Sequence, residues 1–482
     1  MKRNLFMVAA VALMAMVSCN KMENNGGEEV VVPTIPFEFT AYASEDAATS
    51  AETQQPAMAQ KVDTKATLVY DENGKNPKTH WKSTDKINVN RFEFVVDTES
   101  EYGAGARFVG KVDEKFGPEY KAVYPSSAGE TWDAITVKST QTAQAGTFDP
   151  DALVAVAYSN TDNVLAFKHV TSLLKFQVPA AADFSDKITS VTITSTDALA
   201  GTISVKLDDK TPTVEVKNPI NSVTVNCEEG FDSDETYYVA VLPGEKNNFE
   251  VCINGYISKT APKVTIARST IADMKRLPKP VIRVYITTER THFPMNMYAW
   301  YGDPKIELAG TWPGEQMKWD DGKEKYYYDF PYEIKGKQMK YIINNSVYQT
   351  ADLNATIQAP TYTRAINWKW VYFLPSNNWK DSNPRFAAYF YTQGQEGEYW
   401  MKSVGPDDNG VYGYVVPDSK KNVIFVRLNP GNESMSFDNG VKWNQTADLT
   451  IPTDSKKNYF KCTEGWWDAH NGEWSTYTLP LN

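Results

Sequence analysis

A chain of 482 residues with 60 acidic against 49 basic side chains carries a formal charge of −11. That balance argues against a nucleic-acid or anionic-membrane partner, either of which calls for clustered lysine and arginine, and a neutral partner fits better. Length alone sets about three domains as the starting point.

The N-terminus reads Met1-Lys2-Arg3, an apolar run from Leu5 to Val17, then Ser18-Cys19. A charged start, a short apolar stretch and a small residue make a secretory signal, and the run is shorter than the ~20 residues a membrane-spanning helix needs. Val17-Ser18-Cys19 resembles the lipobox of bacterial lipoproteins, with Met16 where leucine is usual. The resemblance implies lipidation of Cys19 and an outer-membrane, cell-surface lipoprotein. Residues 1–18 are then the signal peptide and 19–33, polar and acidic, a lipidated flexible tether. Within it Lys21 and Glu23 resemble the surface-export signal of gut-bacterial lipoproteins.

The remaining cysteines, Cys227, Cys252 and Cys462, are too few and odd in number for a disulfide framework. Cys227 and Cys252 both fall in strand-like runs, where a bridge and two buried thiols are both open readings. Strand signals dominate: SVTITS, GTISVKL, PTVEVK, SVTVN, YYVAVL and VTIARS alternate or are β-branched, with Asp, Asn, Gly and Pro clusters between them. No long segment has helical periodicity. The expectation is an all-β, multi-domain chain of β-sandwiches.

Between residues 34 and 278, TKATL (64–68), His80-Trp81, DKINV (85–89), FKHVTSLLKFQV (167–178), AGTISV (200–205) and YYVAVLPG (237–244) resemble the fimbrillin family of pilus subunits and related surface lipoproteins. The resemblance implies two sandwiches, 34–178 and 179–279, divided near Val178-Pro179, with no catalytic motif. It also implies polymerisation by strand addition as one role for this half; a spacer that lifts the rest off the membrane is the other.

Composition shifts near residue 280. Of 13 tryptophans only Trp81 and Trp132 precede it, and Pro278 and Pro280 punctuate the boundary. Beyond it the pentapeptide QTADL occurs twice, at 349–353 and 445–449. Other landmarks line up ahead of each copy. Val284-Tyr285-Ile286 answers to Val371-Tyr372-Phe373, Tyr298-Ala299-Trp300 to Tyr389-Phe390-Tyr391, and Trp312 to Trp400. Asp320-Asp321-Gly322 answers to Asp408-Asn409-Gly410, each before an aromatic strand, and Met339 to Ile343 answers to Val423 to Arg427. Ordered correspondence with variable gaps marks a duplication in which loops drift and strands do not, giving modules 281–358 and 370–479.

In each copy two rings sit at i and i+2, the strand period, so Tyr298 and Trp300, like Tyr389 and Tyr391, share a face. Any one ring is as easily core as surface. Eleven tryptophans in the last 200 or so residues exceed what two small cores enclose, so some rings should lie open as a flat array. Exposed rings flanked by amides and charges suit a sugar, whose C–H face lies on the ring while its hydroxyls bond beside it.

NMYAW followed by TWPGEQM (311–317), YYYDFPYEI, YIINN (341–345) and QTADL is similar to the family 26 carbohydrate-binding modules, starch-binding β-sandwiches. The second copy, with NNWKDSNPRFAAYF, Trp400, NVIFVRLNP and KWNQTADL, is similar in kind but lacks the Trp-Pro-Gly run. The resemblance implies α-1,4-glucan binding, with Tyr298, Trp300 and Trp312 as one platform and Tyr389, Tyr391 and Trp400 as the other. Lys340, Asn345, Arg427 and Asn429 are the candidate polar partners. Asp352 and Asp448 of the pentapeptides read as turn caps, and Leu353 and Leu449 as buried.

Catalytic signals are missing: His80, His169, His292 and His470 are isolated, there is no HExxH or CxxC, and no carboxylate spacing identifies a glycosidase pair. Asp407-Asp408-Asn409-Gly410 reads as a hairpin turn before a calcium loop. No metal or cofactor is expected. The reading is a surface lipoprotein that captures starch or related α-glucan for surface amylases and a glycan transporter. The alternatives are a fimbrial tip or accessory adhesin for host or microbial glycans, and an enzyme whose catalytic residues carry no recognisable motif.

Overall fold

The computed structural model describes residues 19–20, 32–43, 67–69, 78–184, 186–208, 211–454, 456–463 and 472–478. The signal-peptide residues, Lys21, Glu23, Trp466, Trp467, His470 and the side chain of Cys19 lie outside that description. The chain forms two compact units, Met1–Pro280 and Val281–Asn482. It is all-β: among the described residues the one α-helix is the single turn Asn377–Lys380.

In the first unit Trp81 organises the core. Its ring is 2% exposed and meets Phe108, Tyr124 and Phe167 edge-on at 5.1, 5.0 and 5.4 Å. Nε1 donates to the Ala41 carbonyl at 3.0 Å, so the indole is buried without an orphaned donor. Around it runs an eight-stranded sheet in the order Val164–Ala166, Ile35–Tyr42, Gly105–Val112, Phe92–Val96, Lys86–Val89, Tyr120–Tyr124, Ala155–Ser159, Lys168–His169. The two edge strands are separated in sequence by Phe167 alone, which curls the sheet back on itself.

Further on, Ser172–Gln177 pairs antiparallel with Tyr237–Val241 and parallel with Ile271–Arg276, and Thr140–Thr142 runs parallel to Ser222–Asn226. Strands before and after Val178-Pro179 therefore share sheets, and the division expected there is not a break in strand pairing. Cys227, Cys252 and Cys462 are reduced thiols, so no bridge joins the first two.

The second unit holds two sandwiches of one design. In the first, Val281–Thr287 lies antiparallel to Lys325–Pro331 and parallel to Thr361–Ala365. The facing sheet pairs Asn296–Tyr301 with Gln338–Asn344. In the second, Lys369–Leu374 lies antiparallel to Tyr412–Val416 and parallel to Tyr459–Cys462, and Arg385–Tyr391 pairs with Asn422–Leu428. Large rings fill the second core: Phe373 stacks on Phe425 at 4.4 Å, and Trp379, 6.1 Å from Phe373, is fully buried.

The pentapeptide does the same work in both copies. Thr350 donates its backbone N–H to the Ile343 carbonyl at 2.9 Å and accepts the Ile343 N–H on its hydroxyl at 3.2 Å. Thr446 does the same to Phe425 at 2.9 and 3.0 Å. A hydroxyl thus replaces a backbone carbonyl as the ladder acceptor where the chain bends away. This pairing aligns Ile343 with Phe425, so the correspondence read from sequence is corrected by two residues and Tyr341 answers to Val423. Leu353 and Leu449 are half-buried, not fully enclosed.

Thr446 is completely buried and Thr350 only partly so. Thr446→Val should strand the Phe425 N–H and lower stability by about 1–3 kcal/mol, and Thr350→Val by less; denaturant midpoints of the two variants test that order. A second expectation concerns acid. The Nδ1 atom of His169 is buried and finds no hydrogen-bond partner among the described residues. Burial, reinforced by nearby Arg268, holds its imidazole down from the usual 6.5 to about 4. The unfolded chain therefore takes up this proton before the folded one does. Stability is intact above the unfolded value and falls as pH drops from there toward the folded value, by at most about 3 kcal/mol. Denaturant midpoints should decline across that window, and His169→Asn should flatten the decline.

Candidate functional site: two outward-facing aromatic clusters

Alternation decides what each strand shows. Along Asn296–Tyr301, Met297 and Ala299 point into the sandwich and are fully buried, so Tyr298 and Trp300 project from the other face. Along Arg385–Tyr391, Phe386, Ala388 and Phe390 point inward and Tyr389 and Tyr391 outward. The registers agree: Tyr298 lies opposite Ile342 and Trp300 opposite Lys340, while Tyr389 lies opposite Ile424 and Tyr391 opposite Asn422.

In the first module the Tyr298 ring is 5.3 Å from Trp300 at 41° and 5.4 Å from Trp312 at 86°. Trp312 is 48% exposed, Trp300 is half-buried and Tyr298 is only 7% exposed. The three rings form an angled corner with Tyr298 at its vertex, which corrects the flat open array expected from sequence. The Lys305 ammonium sits 4.5 Å over Tyr298 and 4.8 Å over Trp300 and donates to the Tyr298 hydroxyl. That bond holds it above the usual lysine range. The Tyr298 hydroxyl in turn donates to Glu307 Oε1 at 2.8 Å.

The loop carrying Trp312 is clamped to the sheet. Gly314 adopts φ +90°, and a Cβ there would lie 2.1 Å from the Met297 carbonyl oxygen, so both conformation and space require glycine. Asn344 Nδ2 donates to the Pro313 carbonyl at 2.8 Å.

In the second module Tyr389 is 5.6 Å from Tyr391 at 31° and 5.1 Å from Trp400 at 55°. Here the indole comes from a neighbouring strand, with Trp400 directly across from Tyr389, where Trp312 reaches in from a loop. Phe437 closes on Tyr389 and Trp400 at 4.9 and 4.7 Å. Burial, with Glu398 beside Tyr389 and Asp448 bonded to Tyr391, pushes both phenols up. Both therefore keep their O–H at neutral pH.

Three of the candidate polar residues serve loops instead. Asn345 is 3% exposed, and its Oδ1 accepts the N–H groups of Val347 and Tyr348 at 3.0 and 2.7 Å. Arg427 is 5% exposed and donates to the Trp379 and Asp381 carbonyls at 2.7 and 2.5 Å and to Asn444 at 3.1 Å. Asn429 bridges a turn, donating to the Gly440 carbonyl and accepting from the Gly431 N–H, each at 2.9 Å. In each, a side-chain oxygen, amide or guanidinium ties a turn or loop to the sheet. Lys340 is exposed, across from Trp300. Lys305, Glu307, Glu398 and Phe437 escaped the sequence reading because they lie in or beside turns without strand period. Asp448, read as a turn cap, bonds to Tyr391. Among the described residues no group of three or more His, Cys, Asp or Glu is placed to hold a metal.

No family model matches the chain, and no curated protein is similar to it. Among solved structures it is similar to a candidate cell-adhesion protein of Bacteroides ovatus, at 13% identity over 43% of this chain and 88% of that one, with a TM-score of 0.26. It is also similar to a candidate cell-adhesion protein of Bacteroides uniformis, at 12% identity over 50% and 93%, TM-score 0.27. A third is CBMbc, of carbohydrate-binding family 26, from Eubacterium rectale Amy13K in complex with maltoheptaose, at 14% identity over 41% and 98%, TM-score 0.15.

If Gly314 is what seats Trp312, Gly314→Ala should lift the loop and cost roughly 2–4 kcal/mol locally. Acrylamide quenching of tryptophan fluorescence should rise in that variant and stay at the wild-type level in Gly103→Ala, whose Cβ would make only an ordinary 3.5 Å contact with the His80 ring.

Proposed function

We propose that this chain is a cell-surface lipoprotein, anchored through Cys19, whose two carboxyl-terminal modules bind starch or a related α-glucan without cleaving it. In that role it captures polysaccharide for surface amylases and a glycan transporter, and the first unit is a spacer. The observation that carries the reading is the ring corner of Tyr298, Trp300 and Trp312, repeated as Tyr389, Tyr391 and Trp400 at matching strand register.

A pyranose offers a C–H face and a rim of hydroxyls. The rings take the first; Lys305, Glu307, Lys340, Glu398 and Asp448 surround them with donors and acceptors for the second. Rings set at an angle follow a chain that curves from residue to residue, as an α-1,4-glucan does, better than the flat ribbon of a β-1,4-glucan. Each ring contact adds about 1 kcal/mol beyond area, so one module alone binds weakly, in the micromolar-to-millimolar range by order of magnitude.

The test is migration through a native gel containing amylopectin. The wild-type chain should be retarded, Trp312→Ala and Trp400→Ala each less so, and the double variant not at all. Because the ligand is uncharged, retardation should persist from low to high salt, where screening weakens only charge-driven binding. Free migration in amylopectin combined with binding to mucin would overturn the starch reading in favour of an adhesin. Release of reducing sugar by the purified chain would overturn the non-catalytic part.

A further inference from the structure

The two carboxyl-terminal modules meet in an aromatic joint centred on Phe293. The loop between Val281–Thr287 and Asn296–Tyr301 carries this ring out of the first module and into the second, where it is 6% exposed. It stacks on Trp370 at 5.8 Å and 26° and on Tyr372 at 6.3 Å and 25°. Two glycines of the second module form the slot. A Cβ on Gly413 would lie 2.2 Å from the Phe293 ring, and one on Gly405 would lie 2.8 Å away. Gly413 sits inside the strand Tyr412–Val416, where glycine is unfavourable, so room for Phe293 is its physical reason.

Further contacts widen the joint. Glu289 Oε2 accepts the Trp370 backbone N–H at 3.2 Å, and the His292 ring meets Tyr477 at 5.8 Å. Tyr348 packs on Trp368 at 5.5 Å and Tyr399 at 6.1 Å. This last contact lies close in sequence to both aromatic clusters. Tyr399 precedes Trp400 and is itself 42% exposed. Tyr348 belongs to the loop that follows Asn344, whose amide clamps the Trp312 loop. Along the chain the joint therefore adjoins the segments that position Trp312 and Trp400.

We propose that this joint turns the two clusters into a single receptor selective for glucan chains long enough to reach both, with Phe293 as the positioning residue. The proposal rests on the glucan reading above and adds ligand length to it. When two sites are held at a fixed separation, a chain bound at one presents its next segment to the other without a fresh orientational search. Linked sites of this kind raise apparent affinity by roughly 10²- to 10⁴-fold. Loosening the joint leaves each site intact and removes part of that gain.

The experiment is calorimetric titration of the full chain with maltotriose and with a long linear amylose. Wild type should favour amylose by about 100-fold or more per chain. Phe293→Ala should reduce that ratio about tenfold while leaving maltotriose affinity unchanged, which a general loss of fold would not do. Gly413→Val, which fills the slot from the other side, should act alike, and Phe293→Leu, which refills most of the space, should restore most of the ratio. An unchanged ratio in folded Phe293→Ala and Gly413→Val overturns the joint's role while glucan binding stands. Absence of binding to both ligands by wild type overturns the glucan reading, and the length selectivity with it.

Discussion

A β-strand has two faces and no third choice, and the carboxyl-terminal unit depends on that constraint. Once Met297 and Ala299 are committed to the first core, and Phe386, Ala388 and Phe390 to the second, the intervening rings have only the outer face left. Slipping either strand by one residue would place Trp300 or Tyr391 in the core and an alanine on the surface. Cross-strand partners hold the register at Tyr298 with Ile342 and Tyr389 with Ile424. Outward rings are thus a consequence of core packing, and the position of each cluster is as rigid as the sandwich behind it.

The two copies diverge where the constraint ends. Trp312 reaches Tyr298 from a loop, and Trp400 reaches Tyr389 from a paired strand. The first cluster borders a lysine–glutamate pair, while the second lies over an apolar patch of Ala387, Ile424 and Val426, with Phe437 folded against it. Equal ring counts therefore do not mean equal surfaces. The first corner exposes the Trp312 indole and carries a lysine over its other two rings, while the second carries a fourth ring and acidic neighbours.

Much of this was legible in sequence because strand period and ring identity are local properties. The all-β class and the shared face of Tyr298 with Trp300, and of Tyr389 with Tyr391, follow from spacing; that some rings lie open came from the tryptophan count, and the joining of Trp312 and Trp400 to them from the family resemblance. The polar set was not legible in the same way. Whether Arg427 meets a ligand or the Trp379 and Asp381 carbonyls depends on where a distant helical turn comes to rest, and no spacing encodes that. Lys305 and Glu307 were hidden for the converse reason: they gain meaning only when their turn folds back on Tyr298. The strand correspondence differs by two residues because alternating apolar runs look alike at every even offset; the cross-strand registers and the threonine bonds break the tie.

Those threonine bonds act at very different spans. The same clasp closes an excursion of 7 residues in one copy and 21 in the other, and tripling a loop adds only about 1 kcal/mol of closure entropy. Length at the tip of the longer segment, between Leu428 and Lys442, is therefore cheap in entropy, while the paired residues on either side hold the framework. The longer excursion is the one that brings Phe437 to the second cluster. A change of surface chemistry can thus arrive through a loop graft while the scaffold stays as it was.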